Sequence, residues 1–200
     1  MLDGKRILVT GVLTDASLAF GVARLAQHEG AEVILSGAGR GLSLTRRTAR
    51  KLRSPVDVLE IDVTEPDQLA AAAGWLEDRY GLLDGLLHAI GFAPQACLGG
   101  DILRAEWADV SSALEVSAYS LKALVGALRP LLVTAGRSSV VALDFDARVA
   151  WPAYDWMGVA KAALESLARY LARDLGREGV RINLVAAGPV RTMAAKSIPS

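Results

Sequence analysis

The stretch "KRILVTGVLTDASLAFG", residues 5–21, joins a short apolar run to a segment with helical periodicity. "KRILVT" predicts a buried strand that ends at Gly11, and the next helix is predicted to stop at Gly30. The turn between them lacks the usual spacing of three glycines, but Ser17 and Ala19 place small residues where a backbone can approach a pyrophosphate. This turn alone is equally compatible with a merely tight turn, so the remaining strands and helices must decide the fold.

The alternation of strand and helix continues along the whole chain. Five further apolar runs predict strands: "AEVILSG", "VDVLEIDV", "LDGLLHAIG", "SSVVALDF" and "RINLVAAGP". The longest helices are predicted within residues 105–133 and over residues 155–176. Continuous apolar strands separated by helices are typical of a parallel sheet covered on both faces. We therefore predict one α/β domain over residues 1–200, a doubly wound, Rossmann-like dinucleotide-binding sheet with strand order 3-2-1-4-5-6.

The composition excludes several classes of protein. The 22 basic and 22 acidic residues cancel, and no basic tract is dense enough to predict nucleic-acid binding. The single cysteine, Cys97, cannot form an internal disulfide. The N-terminus shows no signal peptide, and no charge-free apolar run reaches about 18 residues, so we expect no membrane span and a cytoplasmic protein.

Candidate binding residues lie at the ends of the predicted strands. Asp62 could accept a hydrogen bond from an adenine amino group, with Val63 covering the ring, or Asp62 could simply cap a turn. Gly91 would let the backbone approach a ribose, or it is a plain turn glycine. The segment "SGAGR", residues 36–40, lacks the acidic residue that would hold the ribose of NAD. Arg40 could accommodate the 2′-phosphate of NADP or face solvent, so these residues leave the cofactor open.

The segment "AYDWMGVAK", residues 153–161, places Tyr154 and Lys161 seven positions apart in a predicted helix. At about 3.6 residues per turn, they share a face with an axial separation of about 10 Å. An ammonium group there could bind ribose hydroxyls and lower the pKa of the tyrosine. The tyrosine hydroxyl could donate to a substrate oxygen as negative charge develops.

The motifs together resemble those of the enoyl-acyl carrier protein reductases, a divergent branch of the short-chain dehydrogenases, and within it the mycobacterial long-chain members. This branch carries Tyr-x6-Lys in place of the Tyr-x3-Lys of the ketone reductases, and Phe145 stands near the position of their serine. The resemblance runs along the whole chain, through "TDASLAF", "HAIGFAPQ", "DVSSALEVSAYS", "PAYDWMGVAKAALES" and "VRINLVAAGPVRT".

The resemblance implies NADH-dependent reduction of trans-2-enoyl thioesters on acyl carrier protein, in fatty acid biosynthesis, by a homo-oligomer. NADP is the less favoured cofactor. The implied active-site residues are Phe145, Tyr154 and Lys161. The implied cofactor contacts are Gly11, Ser17, Leu18, Asp62, Val63, Ile90, Gly91, Lys161, Val190 and Thr192.

The chain also departs from the family pattern. Ala38 and Gly39 replace an aromatic and an acidic residue beside the adenine, Ala89 replaces a serine, and Gly158 replaces a threonine. We expect these changes to loosen adenosine binding. The family continues beyond "AAGPVRT" with a substrate lid and a last strand, which we expect to be missing here. Two alternatives remain: a dinucleotide-binding fragment or scaffold without turnover, or a reductase of another conjugated substrate.

Overall fold

Six parallel strands form one sheet in the order β3-β2-β1-β4-β5-β6, which confirms the predicted topology. The computed structural model describes residues 1–188 and 190. Within this part of the chain the strands are β1 (Arg6–Val9), β2 (Glu32–Gly37), β3 (Val58–Glu60), β4 (Gly85–His88), β5 (Ser138–Asp144) and β6 (Val180–Ala186). The register places Leu8 of β1 between Ile34 of β2 and Leu86 of β4.

Helices connect successive strands. They are α1 (Leu18–His28), α2 (Gly39–Ala49), α3 (Pro66–Tyr80), α4 (Trp107–Leu114), α5 (Ser120–Thr134) and α6 (Asp155–Leu175). A π-helical turn, Glu115–Tyr119, joins α4 to α5, and short 3₁₀ turns occur at Gln95–Cys97, Ile102–Arg104 and Gly176–Glu178. Pro66 occupies the first turn of α3, where the N–H of any residue would have no acceptor within the helix, so the lack of an N–H in proline costs nothing.

The central strands β1 and β4 are apolar on both faces because helices cover both faces of the sheet there. Leu8 packs into one core cluster with Leu86, Leu128 and Leu164, which also contains apolar residues of α3, α5 and α6. Its neighbour Val9 points to the opposite side and packs with residues of α1 and β2. Because successive residues of β1 supply cores on opposite faces of the sheet, the strand reads as a continuous apolar run in the sequence.

One helical stretch, Trp107–Thr134, is long and apolar enough to cross a membrane by length and composition alone. Half of its most apolar window is buried inside the protein, as in the core helices of soluble proteins. Charges interrupt the stretch at Asp109, Glu115, Lys122 and Arg129. It is therefore weak support for a membrane span.

The strand order places the candidate site. Because all six strands are parallel, their carboxyl ends lie along one edge of the sheet. The direction in which the chain winds reverses between β1 and β4, and open α/β sheets bind ligands in the crevice at such a point. The residues directly after β1, β4 and β5 therefore face one region.

Candidate active site

Gly11, just after β1, meets the end of β4 at very short range. Its φ angle is +77°, and a Cβ atom there would lie 2.0 Å from the carbonyl oxygen of Ala89. A side chain is therefore excluded on both conformational and steric grounds. The glycine allows the first strand-to-helix turn to pass against the loop after β4.

Thr10 connects the same two strand ends, and it is not among the candidate residues predicted from the sequence. It is 1% exposed. Its hydroxyl donates to the carbonyl oxygen of Leu87 at 2.9 Å and accepts from the amide of Ala89 at 3.0 Å. A buried hydroxyl beside a required glycine fixes the spacing of the crevice walls, and its position just before Gly11 was the available signal.

Ser17 caps the N-terminus of α1. Its hydroxyl donates to the carbonyl oxygen of Thr14 at 2.6 Å and accepts from the amide of Phe20 at 3.3 Å. The first turn, which begins at Leu18, contains no acidic residue. The amides and the positive end of the helix dipole at this terminus are thus suited to an anion such as a pyrophosphate.

Asp62 has a local turn role and also retains a free acceptor. Its Oδ1 atom accepts from the amide and the hydroxyl of Thr64, at 3.0 Å and 2.7 Å. Among the described residues, its Oδ2 atom accepts no hydrogen bond, so one carboxylate oxygen remains available to a ligand. Val63 is 9% exposed and packs in the larger core cluster, which limits how much of its side chain can cover an adenine ring.

The loop after β4 presents backbone to the crevice. Ile90 packs its side chain against the core, whereas Gly91 is exposed. At the outer side of the sheet, Arg40 is exposed in the first turn of α2. Val190, beyond β6, is 45% exposed, and Thr192 lies outside the described residues.

Phe145 and Tyr154 come together at the end of β5. Phe145 is the first residue after the strand, and the two rings meet edge to face with centroids 4.6 Å apart. Tyr154 occupies the N-cap position of α6, and the first helical residue is Asp155. The helix predicted over residues 155–176 is confirmed to within one residue, with the tyrosine at its start rather than inside it.

The backbone around Tyr154 is strained on both sides. Ala153 and Asp155 have φ angles of +64° and +39°, a region that residues with a side chain rarely adopt. Two hydrogen bonds hold this conformation: the carbonyl of Ala153 accepts from the amide of Gly99 at 3.1 Å, and the Asp155 carboxylate accepts from the amide of Gly100 at 2.6 Å. The loop that contains these glycines thus supports the position of the tyrosine.

Lys161 lies within α6 and is 8% exposed. Its Nζ atom donates to the carbonyl oxygen of Leu143 on β5 at 2.8 Å. Burial lowers the pKa of Lys161, and the negative charge of Asp144 partly opposes this shift. Burial likewise raises the pKa of Asp144, with the charge of Lys161 opposing it. Leu143 uses one ammonium hydrogen, and within residues 1–188 and 190 no other acceptor is bonded to this group, which leaves two hydrogens for a ligand.

The groove between α6 and β6 is separate from Tyr154, and the described residues offer no metal-binding cluster. A groove of about 300 Å³ lies between α6 and β6 and is lined by Asp144, Glu165, Ile182 and neighbouring residues, but not by Tyr154. Within residues 1–188 and 190, no three His, Cys, Asp or Glu side chains cluster closely enough to hold a metal ion.

Comparison with known proteins gives a consistent result. A family model described as enoyl-(acyl carrier protein) reductase matches residues 11–200. The chain is 46% identical to the enoyl-[acyl-carrier-protein] reductase [NADH] of Mycolicibacterium smegmatis and 43% identical to that of Mycobacterium avium. Each match covers 99% of this chain and 74% of the relative. The corresponding reductase of Neisseria meningitidis is 41% identical, over 98% of this chain and 76% of the relative.

These relatives are longer than this chain, and the matches run through every strand and helix that surrounds the crevice. A family model that spans all but the first ten residues, together with identities above two fifths, leaves one assignment. The chain belongs to the enoyl-(acyl carrier protein) reductase family.

Proposed function

We propose that this protein reduces the carbon–carbon double bond of trans-2-enoyl thioesters carried on acyl carrier protein, with NADH as the hydride donor, in fatty acid biosynthesis. The observation that carries the proposal is the contact of Tyr154 with Phe145 at the carboxyl edge of the sheet. The relatives named as NADH-dependent reductases support both the substrate class and the cofactor.

The residues of the crevice fit a dinucleotide. The N-terminus of α1 can hold a pyrophosphate, the free Oδ2 atom of Asp62 can accept from an adenine, and Lys161 has two ammonium hydrogens for ribose hydroxyls. We assign cofactor contact to Gly11, Ser17, Leu18, Asp62, Val63, Ile90, Gly91, Lys161, Val190 and Thr192.

The chemistry assigns distinct roles to the reacting residues. When bound, NADH would supply a hydride to the β-carbon of the enoyl group. Tyr154 donates a hydrogen bond to the thioester oxygen, where the negative charge of the enolate develops, and proton uptake at the α-carbon completes the reduction. Phe145 orients the tyrosine ring, and Lys161 anchors the cofactor.

The test is steady-state oxidation of NADH with a medium-chain trans-2-enoyl thioester, alongside fluorescence titrations with NADH and NADPH. We expect turnover and tighter binding of NADH. Binding of NADH without turnover on any enoyl thioester would favour the alternative of a dinucleotide-binding protein. A clear preference for NADPH would contradict the assigned cofactor.

We also propose that the protein is a single-domain, cytoplasmic homo-oligomer. Its long helices carry exposed large side chains, including Tyr119 of the π-helical turn and Val159 and Tyr170 of α6, which are 40–57% exposed. Helices that are apolar beyond one stripe are usually buried on more than one side. A closed dimer with matching surfaces would bury them. A monodisperse monomer in light scattering at micromolar concentration would contradict this.

A further inference from the structure

The π-helical turn Glu115–Tyr119 lies beside the carboxyl end of β4 and contains buried polar groups that the proposed chemistry does not use. π-helical turns are rare, and they occur frequently at functional sites. Ser117, within the turn, and Ser120, immediately after it, are both 0% exposed. Buried hydroxyl groups are usually hydrogen-bonded, and both serines are hydrogen-bonded to residues that flank the loop of residues 89–91.

Ser117 holds both polar backbone groups of one residue. Its hydroxyl accepts from the amide of Phe92 at 2.9 Å and donates to the carbonyl oxygen of Phe92 at 2.7 Å. Phe92 comes immediately after Gly91, which the proposed function places against a ribose. A single side chain thus fixes the orientation of the peptide groups on either side of Phe92.

Ser120 attaches the other end of the same loop. Its hydroxyl donates to the carbonyl oxygen of Val116 at 2.7 Å, so its only hydrogen is used. The Nε2 atom of His88 lies 2.7 Å from the hydroxyl oxygen of Ser120. We therefore assign the hydrogen of the neutral His88 to Nε2, which donates it to Ser120. His88 is the last residue of β4, directly before the loop.

We propose that Ser117 and Ser120 are positioning residues that fasten the loop of residues 89–91 to the π-helical turn, through Phe92 at one end and His88 at the other. The two attachments set the geometry with which the loop meets NADH. This inference rests on the proposed function, because it requires that the loop contacts the cofactor. A role limited to stabilising the fold would instead leave the affinity for NADH unchanged.

The first experiment compares Ser117→Ala with the wild type by fluorescence titration and steady-state kinetics. Loss of the hydroxyl frees the peptide groups of Phe92, and we expect the Kd and KM for NADH to rise on the order of tenfold, with kcat at saturating NADH changed less than about threefold. Ser117→Cys keeps the volume with weaker hydrogen bonds and should fall between the two. Ser111→Ala is the matched control.

Ser111 lies on the preceding helix, α4, and its hydroxyl also donates to a backbone carbonyl, that of Ala108; among the described residues it makes no hydrogen bond to the loop. Its substitution should leave NADH binding unchanged. The inference is overturned if Ser117→Ala lowers the melting temperature but binds NADH as the wild type does. A wild-type protein that fails to bind NADH overturns the proposed function itself, before any variant is measured.

A second experiment needs no variant, in case Ser117→Ala does not fold. Amide hydrogen exchange of the wild-type protein is measured with and without NADH. If the loop and the π-helical turn act as one unit, NADH should slow exchange in residues 88–92 and 115–120 together, with residues 108–112 unaffected. Protection of the loop without protection of the turn would overturn the inference.

Discussion

The rings of Phe145 and Tyr154 meet edge to face, with centroids 4.6 Å apart and an interplanar angle of 64°. This contact joins the first residue after β5 to the residue at the N-cap of α6. Such pairs contribute about 0.5–1.5 kcal/mol beyond the burial of their surface. The contact therefore restricts the direction of the tyrosine hydroxyl, which is the group assigned to the substrate oxygen.

Replacing Tyr154 by Phe should lower turnover sharply while leaving cofactor binding intact. The variant keeps the ring and its contact with Phe145 but loses the hydroxyl that stabilises the enolate oxygen. We expect kcat to fall by about 100-fold, a magnitude typical of a lost transition-state donor. The Kd for NADH should stay within about twofold, and both are measured by steady-state kinetics and fluorescence titration.

A double-mutant cycle with Phe145→Ala provides the control. If Phe145 acts only by orienting the tyrosine hydroxyl, its substitution should slow the wild type by about three- to tenfold but add little to Tyr154→Phe. Fully additive effects would show that Phe145 contacts the substrate independently. Wild-type turnover by Tyr154→Phe would remove the tyrosine from the mechanism.

Replacing Lys161 by Met should affect the cofactor instead. Methionine fills most of the volume of the buried lysine stem but cannot donate to Leu143 or to a ribose. We expect the Kd for NADH to rise by at least about tenfold, the loss of roughly one charge-assisted hydrogen bond. The fold should persist, since burial already disfavours the ammonium and lowers the pKa of Lys161. Unchanged NADH affinity would show that this lysine does not reach the ribose.

Gly11→Ala should both destabilise the protein and weaken cofactor binding. An alanine would adopt a φ angle of +77° and place its Cβ 2.0 Å from the carbonyl oxygen of Ala89. The conformational strain alone costs about 1–2 kcal/mol, and the clash forces the crevice walls apart. We expect a loss of at least about 2 kcal/mol in the free energy of unfolding, measured with urea.

The matched control for this substitution is Gly21→Ala. Gly21 lies within α1, has no unusual φ angle, and a Cβ there would meet no atom within 4 Å. Because alanine is the better helix former, this variant should be as stable as the wild type or up to about 1 kcal/mol more stable. Equal destabilisation by both substitutions would contradict the steric explanation.

The sequence predicts the sheet well because its central strands are continuous apolar runs that must be buried beneath helices on both faces. Leu8 and Val9 show this directly, since neighbouring residues supply different core clusters. The strain around Tyr154 was not predictable. Ala153 and Asp155 adopt positive φ angles that are held by hydrogen bonds from the amides of Gly99 and Gly100, which are distant in sequence. The local residue types do not predict this conformation.

The π-helical turn was missed for the same physical reason. Residues 105–133 have ordinary helical periodicity, and the π-helical turn carries the buried Ser117, with the buried Ser120 directly after it. Their partners, Phe92 and His88, lie 25 and 32 residues away in sequence. Hydrogen bonds over such separations depend on the strand order and leave no periodic signal.

The buried His88 should make the stability of the protein depend on pH. Burial lowers its pKa from the ordinary 6.5 to about 3, and the positive charge of Lys161 adds to the effect. In the unfolded chain His88 therefore binds a proton below about pH 6.5, whereas in the folded protein it does so only below about pH 3. The free energy of unfolding should fall as the pH decreases through this range, with His88 contributing up to about 1.4 kcal/mol per pH unit.

Urea unfolding between pH 7.5 and pH 4 tests this with His88→Gln, whose amide can still donate to Ser120. The variant should lose some stability at neutral pH through imperfect packing. Its free energy of unfolding should also depend less steeply on pH than that of the wild type, because unfolding takes up about one proton fewer. His28→Gln is the control, because the side chain of His28 is 74% exposed, so the same substitution is made at the surface rather than in the core. All three proteins contain the same carboxylates, so the difference in slope between the wild type and His88→Gln reports on the buried histidine. If His88→Gln shows the slope of the wild type, the folded protein binds a proton at His88 as readily as the unfolded chain does, and burial does not lower the pKa of His88.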